Sequence, residues 1–267
     1  MGKKFSSFID AHCHITKRSY NLLEIETIAL KIKSNNIEFI INNGGHPEEN
    51  EEVIKLAKEI PELKACIGIH PEAGKDQNDY KQVEELLLKN REHIVGIGEI
   101  GLDYYYEDAP SRENQIGSFE NQIKLAIKYN LPVVIHIRDK ENEFQAYQDA
   151  YDILKKYPNI KAMLHTFAGN IEWAKKFMEF PNLLFSFSGV VTYGSSHTTR
   201  EVIKFLSLER ILNETDSPFL RPHPYSNKIN DPNNVLYVAY YIAGLKGIGL
   251  DKYVDRVNKN LRKLFNL

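Results

Sequence analysis

The chain has 267 residues, a formal net charge of −2 and two cysteines. That length is ample for one large domain over 1–267, and 42% apolar with 26% charged residues is an ordinary globular balance that excludes bulk disorder. The longest apolar runs, such as Val133–Ile137 and Leu183–Phe187, are too short to cross a bilayer, and the near-neutral charge excludes nucleic-acid binding by global positive charge while leaving room for a local basic lip.

Short Ile- and Val-rich runs recur along the chain, each followed by a helical pattern. The runs are Phe8–Ala11, Ile37–Asn42, Leu63–Ile69, Ile94–Gly98, Val133–His136, Ile160–His165, Leu183–Ser188 and Ile211–Glu214. They are nearly continuous in apolar character, as strands buried on both faces of a parallel sheet are. Between them the periodicity predicts helices over Leu22–Asn35, Pro47–Ile60, Asn78–Asn90, Arg112–Tyr129, Asn142–Lys156, Ile171–Phe180 and Thr199–Leu208, with two more over Pro232–Lys246 and Asp251–Phe265. Pro47 followed by Glu48 and Glu49 suits the positive end of a helix dipole. Eight strands alternating with helices predict an α/β fold, a (β/α)₈ TIM barrel, with an open doubly wound sheet as the alternative. That alternative usually carries a glycine-rich turn after the first strand. Here the first strand ends Asp10-Ala11-His12-Cys13-His14, without glycine.

The histidines are unevenly placed. His12, His14, His70, His136 and His165 fall at the ends of predicted strands, with Glu99 ending the fourth and Asp216 the eighth. In a (β/α)₈ barrel those ends converge on one face, where sites are built. His12 and His14 stand two apart, so on a strand their imidazoles share a face and can bind one cation. The same period turns Cys13 to the opposite face, where a small apolar role under a helix suits it better than a ligand role. Glu99 lies between Gly98 and Gly101, and its two oxygens could hold two cations about 3.5–4 Å apart; a solvated Glu in a glycine-bounded turn is the plainer reading. Val133–His136 and Ala162–His165 each run three apolar residues and then His. One such His is commonly a core residue; two on neighbouring strands beside Glu99 are better explained as ligands of a second cation. Asp216 can join His12 and His14 and accept a proton from water. Glu214 shares the face of Asp216, either hydrogen-bonded to a ligand imidazole or in a buried structural pair.

The motifs DAHCH, GIHPE, GEIGLDYY, PVVIHIRD, LHTFAG and ETDSPFL, in this order from Phe8 onward, resemble the TatD family of metal-dependent deoxyribonucleases, within the amidohydrolase-like TIM-barrel hydrolases. The resemblance implies a metal held by His12, His14 and Asp216, a bridging Glu99, and a second metal held by His136 and His165. It implies that His70 faces the scissile phosphate, that Arg138 helps hold the substrate, and that the activity is 3′-to-5′ exonucleolytic cleavage of DNA. Three positions depart from the family pattern: Thr16 stands where Asp is frequent, Thr166 where Cys is, and Tyr225-Ser226-Asn227-Lys228-Ile229-Asn230 where a basic Arg-Gly-Lys segment is frequent. The ligand set survives all three; substrate contacts in the last loop do not follow from it.

Two divalent cations in a His and carboxylate mouth suit hydrolysis, with Zn²⁺, Mn²⁺ and Mg²⁺ all compatible with the donors. Asp216 is the candidate general base. Arg112, Arg138, Lys140, Arg221, His223 and Lys228 are expected around the mouth to meet phosphates, and Tyr104, Tyr105 and Tyr106 to offer stacking faces. A solvated surface or loop packing is the plainer reading of most of these. A two-metal hydrolase of a small carboxylic ester, lactone or amide, and a non-catalytic metal-binding module, are the rival functions. The start of the chain carries no signal-like apolar stretch and two cysteines build no disulfide framework, so a cytoplasmic protein is expected. No coiled-coil pattern or large apolar face stands out, and a monomer without an obligate protein partner is the expectation.

Overall fold

The computed structural model describes residues 6–224 and 228–267. Eight parallel strands form one sheet in sequence order: β1 (Phe8–Cys13), β2 (Ile37–Asn43), β3 (Leu63–Ile67), β4 (Ile94–Asp103), β5 (Val133–Arg138), β6 (Ala162–Leu164), β7 (Leu183–Phe187) and β8 (Ile211–Asn213). Helices alternate with them: α1 (Leu22–Ser34), α2 (Pro47–Glu59), α3 (Tyr80–Lys89), α4 (Arg112–Lys128), α5 (Gln145–Leu154), α6 (Ile171–Phe177) and α7 (His197–Phe205), then α8 (Val235–Leu245) and α9 (Leu250–Phe265). This is the TIM barrel that the periodicity pointed to, and the open-sheet alternative falls. The seam between β8 and β1 is fastened by side chains and by the chain just beyond each strand. Asn213 Nδ2 donates to the Ile9 carbonyl at 3.0 Å, the Asp216 N–H to the His12 carbonyl at 3.0 Å, and the His14 N–H to the Ser217 carbonyl at 2.7 Å.

The strands are buried on both faces, which is why they read as continuous apolar runs and not as alternating ones. Local signals set the helix starts. Asn21 caps α1 with Glu24 in a reciprocal capping box, and Ser111 and Asn170 cap α4 and α6. The closing helix α9 lays Tyr253, Val254, Val257, Leu261, Leu264 and Phe265 against the barrel as one apolar stripe.

Strand ends differ from expectation where a functional residue is near. β4 continues past Gly98 to Asp103, because Gly101, Leu102 and Asp103 pair with His136, Ile137 and Arg138 of β5. Glu99 is therefore a residue within a strand. β3 and β6 stop sooner than expected, at Ile67 and Leu164, so His70 and His165 stand in the following loops. Asp216 likewise lies beyond β8.

Candidate metal centre

All seven side chains singled out at strand ends meet at the C-terminal mouth of the barrel. Glu99 is the hub. Its Oε1 lies 2.9 Å from His136 Nδ1, 2.8 Å from His165 Nε2 and 3.5 Å from His70 Nε2. Its Oε2 lies 3.2 Å from His14 Nε2 and 3.6 Å from His12 Nε2. Asp216 Oδ1 closes the second side, 3.4 Å from His12 Nε2 and 3.6 Å from His14 Nε2. The two oxygens of one carboxylate thus face two separate imidazole groups.

Glycine makes this approach possible. A Cβ at Gly98 would stand 2.6 Å from Val134 Cβ, and one at Gly101, whose φ is +145°, would stand 1.9 Å from the His136 carbonyl oxygen. Any side chain at either position would push β4 from β5 and carry Glu99 off His136.

The outer nitrogens of the imidazoles fix which nitrogen faces inward. His14 Nδ1 donates to the Asn43 carbonyl at 3.1 Å, and a carbonyl oxygen only accepts. His136 Nε2 bonds the buried Asp103 carboxylate at 2.8 Å. In their neutral forms both rings therefore turn lone pairs toward carboxylate oxygens. His12 Nε2 and His14 Nε2 are also only 3.0 Å apart, as are His136 Nδ1 and His165 Nε2. Acceptors packed on acceptors in a buried site must share protons or cations. Among the described residues, three groups have ligand atoms all within 4.8 Å: His12, His14 and Asp216; His12, Glu99 and His165; His70, Glu99 and His136. The mixed imidazole and carboxylate donors suit divalent cations of the Zn²⁺, Mn²⁺ or Mg²⁺ kind.

The ionisation pattern points the same way. Burial would raise the Glu99 carboxyl, but the charges of His165, His70 and His12 overcome it and hold it well below the usual range. Burial likewise opposes Asp216, and its contacts to His12 and His14 reverse the effect and lower it. Burial also works against a charged His14, yet Asp216 and Glu99 push it up to about 10. His165 and His136 rise for the same reason, through Glu99 with Glu214 and Asp103. His12 falls, because burial and its neighbour His165 disfavour its charge.

The family model described as TatD related DNase matches residues 9–266. The chain belongs to the TatD family. It is 34% identical over 262 residues to the metal-dependent hydrolase YabD of Bacillus subtilis, covering 97% of this chain and 98% of that one. A metal-dependent hydrolase of Mycoplasma genitalium, MG009, is 35% identical over 268 residues with the same coverage. The crystal structure of YJJV, a TatD homolog from Escherichia coli K12, superposes with a TM-score of 0.87 at 27% identity, covering 97% of this chain and 98% of that one. The protein is a metal-dependent hydrolase of this family, and among its described residues no helix is long and apolar enough to cross a membrane.

Two TatD-motif residues, Asp103 and Asp10, have roles that sequence reasoning missed, whereas Glu214 was expected beside a ligand imidazole and lies there. Asp103 of GEIGLDYY is the partner of His136; its spacing of four from Glu99 puts both on one strand face, a signal of period two. Asp10 of DAHCH accepts from the Thr215 N–H at 2.9 Å, from Thr215 Oγ1 and from the His12 N–H at 3.2 Å, tying the Asp216 loop to β1. Glu214 Oε1 lies 3.4 Å from His165 Nδ1 and accepts from Thr166 N–H at 2.6 Å and Thr166 Oγ1 at 2.5 Å. The Thr that replaces the family's frequent Cys therefore anchors Glu214. Cys13 is buried in apolar packing, as expected.

The expected basic lip is narrower than the sequence suggested. Arg112 is already paired: Nε and Nη2 bind the Asp149 carboxylate at 2.6 and 2.7 Å, a bidentate contact that offsets its charge while more than half of the side chain stays exposed. Tyr104 is not a stacking face, because its hydroxyl donates to the same Asp149 at 2.9 Å and its ring packs on the core. Arg138 instead lies over the Tyr105 ring, 3.9 Å from its centroid, and donates to the Tyr106 hydroxyl at 3.2 Å. Lys140 is exposed, 3.5 Å from Glu107. Arg221 donates to the Ile229 carbonyl, the His223 N–H donates to Thr192 Oγ1, and Lys228 is exposed. Of the last-loop segment that departs from the family pattern, Tyr225, Ser226 and Asn227 lie outside the described residues.

Proposed function

We propose that this hydrolase cleaves phosphodiester bonds of DNA from the 3′ end, using two divalent cations, with Asp216 as general base. The observation that carries this reading is the division of Glu99: one oxygen faces His12 and His14, the other His136 and His165. His12, His14 and Asp216 would hold one cation, His136 and His165 the other, and Glu99 would be shared. When bound, such cations make a water more acidic and offset the charge gathering on phosphoryl oxygens.

The protein's own groups do the rest. Asp216, kept ionised by His12 and His14, accepts the proton of the attacking water as its oxygen forms the new bond to phosphorus. The bond from phosphorus to the leaving oxygen breaks, and that oxygen takes the proton back from Asp216. His70, beside Glu99 and half-buried at the mouth, would donate to a non-bridging phosphoryl oxygen. Arg138 is braced on Tyr105 to meet a neighbouring phosphate, and Tyr105 and Tyr106 expose 44% and 43% of their surface for stacking.

The test is a 5′-labelled single-stranded oligonucleotide digested with and without chelator. Stepwise shortening that stops with chelator and in Glu99→Gln is the expected result. Cleavage indifferent to both would overturn the reading. Hydrolysis of small neutral esters alone, unchanged by His70→Ala and Arg138→Ala, would favour a carboxylic-ester hydrolase.

A further inference from the structure

Among the described residues Phe219 is the most exposed aromatic ring near the centre, and its exposure is not the slack of a loose loop. The ring is 58% exposed, yet its backbone is fixed at both ends. Its N–H donates to the Asp216 carbonyl at 2.9 Å, and its carbonyl accepts from Asn230 Nδ2 at 2.7 Å. Asn230 is itself buried, bonded also to the Thr215 carbonyl at 3.0 Å, and its own carbonyl accepts from the buried Tyr20 hydroxyl at 2.9 Å. The same short turn carries Asp216, and the Phe219 ring stands edge-on to His14, with centroids 6.4 Å apart.

A lone exposed phenylalanine needs no explanation. One held rigidly against a candidate ligand imidazole does, because it keeps an apolar face open beside a mouth built of imidazoles and carboxylates. Its position in the barrel sharpens the point. Phe219 follows β8, whereas Tyr105, Tyr106 and Arg138 rise from β4 and β5, half-way round a ring of eight strands. The centre therefore lies between two aromatic surfaces, and a chain crossing from one to the other passes over Glu99.

We propose that Phe219 is a base-stacking platform: it takes the nucleobase on one side of the scissile phosphate, while Tyr105 with Arg138 takes the side opposite. This rests on the proposed nuclease reading and adds to it a residue that selects substrates by their bases. A base has two faces, and the one laid on Phe219 is lost to the neighbour it would meet on that side, so an interior base must be unstacked there while a terminal base need not be.

The experiment uses the metal-loaded enzyme as wild type, Phe219→Ala and Phe219→Trp. Each is given a single-stranded oligonucleotide and two copies with an abasic nucleotide on one or the other side of the scissile linkage. Phe219→Ala is expected to lower kcat/KM about tenfold, mainly through KM, while Phe219→Trp keeps most of it. One of the abasic oligonucleotides is expected to cost wild type the same factor and Phe219→Ala nothing more. The bound metal, measured by elemental analysis, is expected to be equal in all three proteins. The proposal is overturned if Phe219→Ala stays within twofold of wild type, if its effect multiplies with that of both abasic sites, or if it loses metal, which would mean the ring acts through His14. Should wild type cut none of the oligonucleotides, the nuclease reading itself fails and takes this inference with it; normal cutting with independent effects removes Phe219 alone.

Discussion

The two halves of the centre are built from similar imidazoles but are backed differently. On one side, His14 leans on the Asn43 carbonyl, and the outer nitrogen of His12 is buried without a hydrogen-bond partner among the described residues. On the other, His136 leans on the Asp103 carboxylate, and the outer nitrogen of His165, though it too makes no hydrogen bond among the described residues, lies 3.4 Å from the Glu214 carboxylate. A carbonyl sets a tautomer; a carboxylate also makes the imidazole a stronger donor and offsets part of a cation's charge. Under the proposed assignment, the His136 and His165 half holds its cation more tightly. The His12 and His14 half depends on Asp216, which must also be available for a proton. Under that assignment the centre would separate holding from turnover, with Glu99 common to both.

Removing what the halves share tests this most severely. Glu99→Gln keeps the shape but gives up the charge that both sides use, and kcat/KM is expected to fall by about 10³-fold or more. Elemental analysis of the purified variant should find metal depleted from both positions. A variant that kept one full equivalent would mean that the halves do not depend on a common carboxylate. Asp216→Asn touches one half only. Its kcat is expected to drop about 10²- to 10⁴-fold, the range of a lost general base, with KM little changed. A kcat within a few-fold of wild type would take the base role away from Asp216.

The halves also differ in how far they could be read from sequence. His12 lies on β1 and His14 one residue beyond its end, so period two in extended backbone brings them together without knowledge of the fold. His136 lies on β5 and His165 in the loop after β6, and only the barrel topology makes them neighbours. The residues behind them were harder. Asp103 sits on the face of Glu99, but the strand seemed to end at Gly98, since a glycine pair usually marks a break. In the fold those glycines admit close packing of β4 on β5 and the strand continues, which carries Asp103 to His136. Arg112 and Tyr104 misled in the other direction. Their position in the chain put them at the mouth, but both bond Asp149 of α5, a long-range pairing with no local signature.

Asp103→Asn is the sharpest probe of the difference in backing. The amide can still accept from His136 Nε2 but carries no charge, and metal affinity of that half is expected to weaken about 10- to 100-fold. Isothermal titration with Mn²⁺ into metal-free protein should show the tighter of two binding events merging into the weaker. If the weaker event is the one that shifts, the ranking of the halves is reversed. Asp103→Glu, which restores charge with a longer reach, should recover part of the loss.

The smallest expected effect is on stability, and its sign follows from the ionisation of the cation-free centre. His14 is raised from its ordinary 6.5 to about 10 by Asp216 and Glu99, against the opposing pull of burial. A group raised on folding contributes fully below its unfolded value, and the contribution is lost as pH climbs through the folded one. Chelator-treated protein should therefore lose stability between about pH 6.5 and 10, as the proton between acceptors leaves. Cations bind the deprotonated imidazoles and take that proton's place, so their stabilisation should grow across the same interval. Glu99 and Asp216, both lowered, act at the other end: their contribution is present above their unfolded values and fades on acidification. Thermal melts with chelator and with Mn²⁺ at pH 6.5, 8 and 9.5 should give Tm values that diverge by a few °C as pH rises. A gap that stays constant or narrows would mean that protons and cations do not compete for the inward nitrogens.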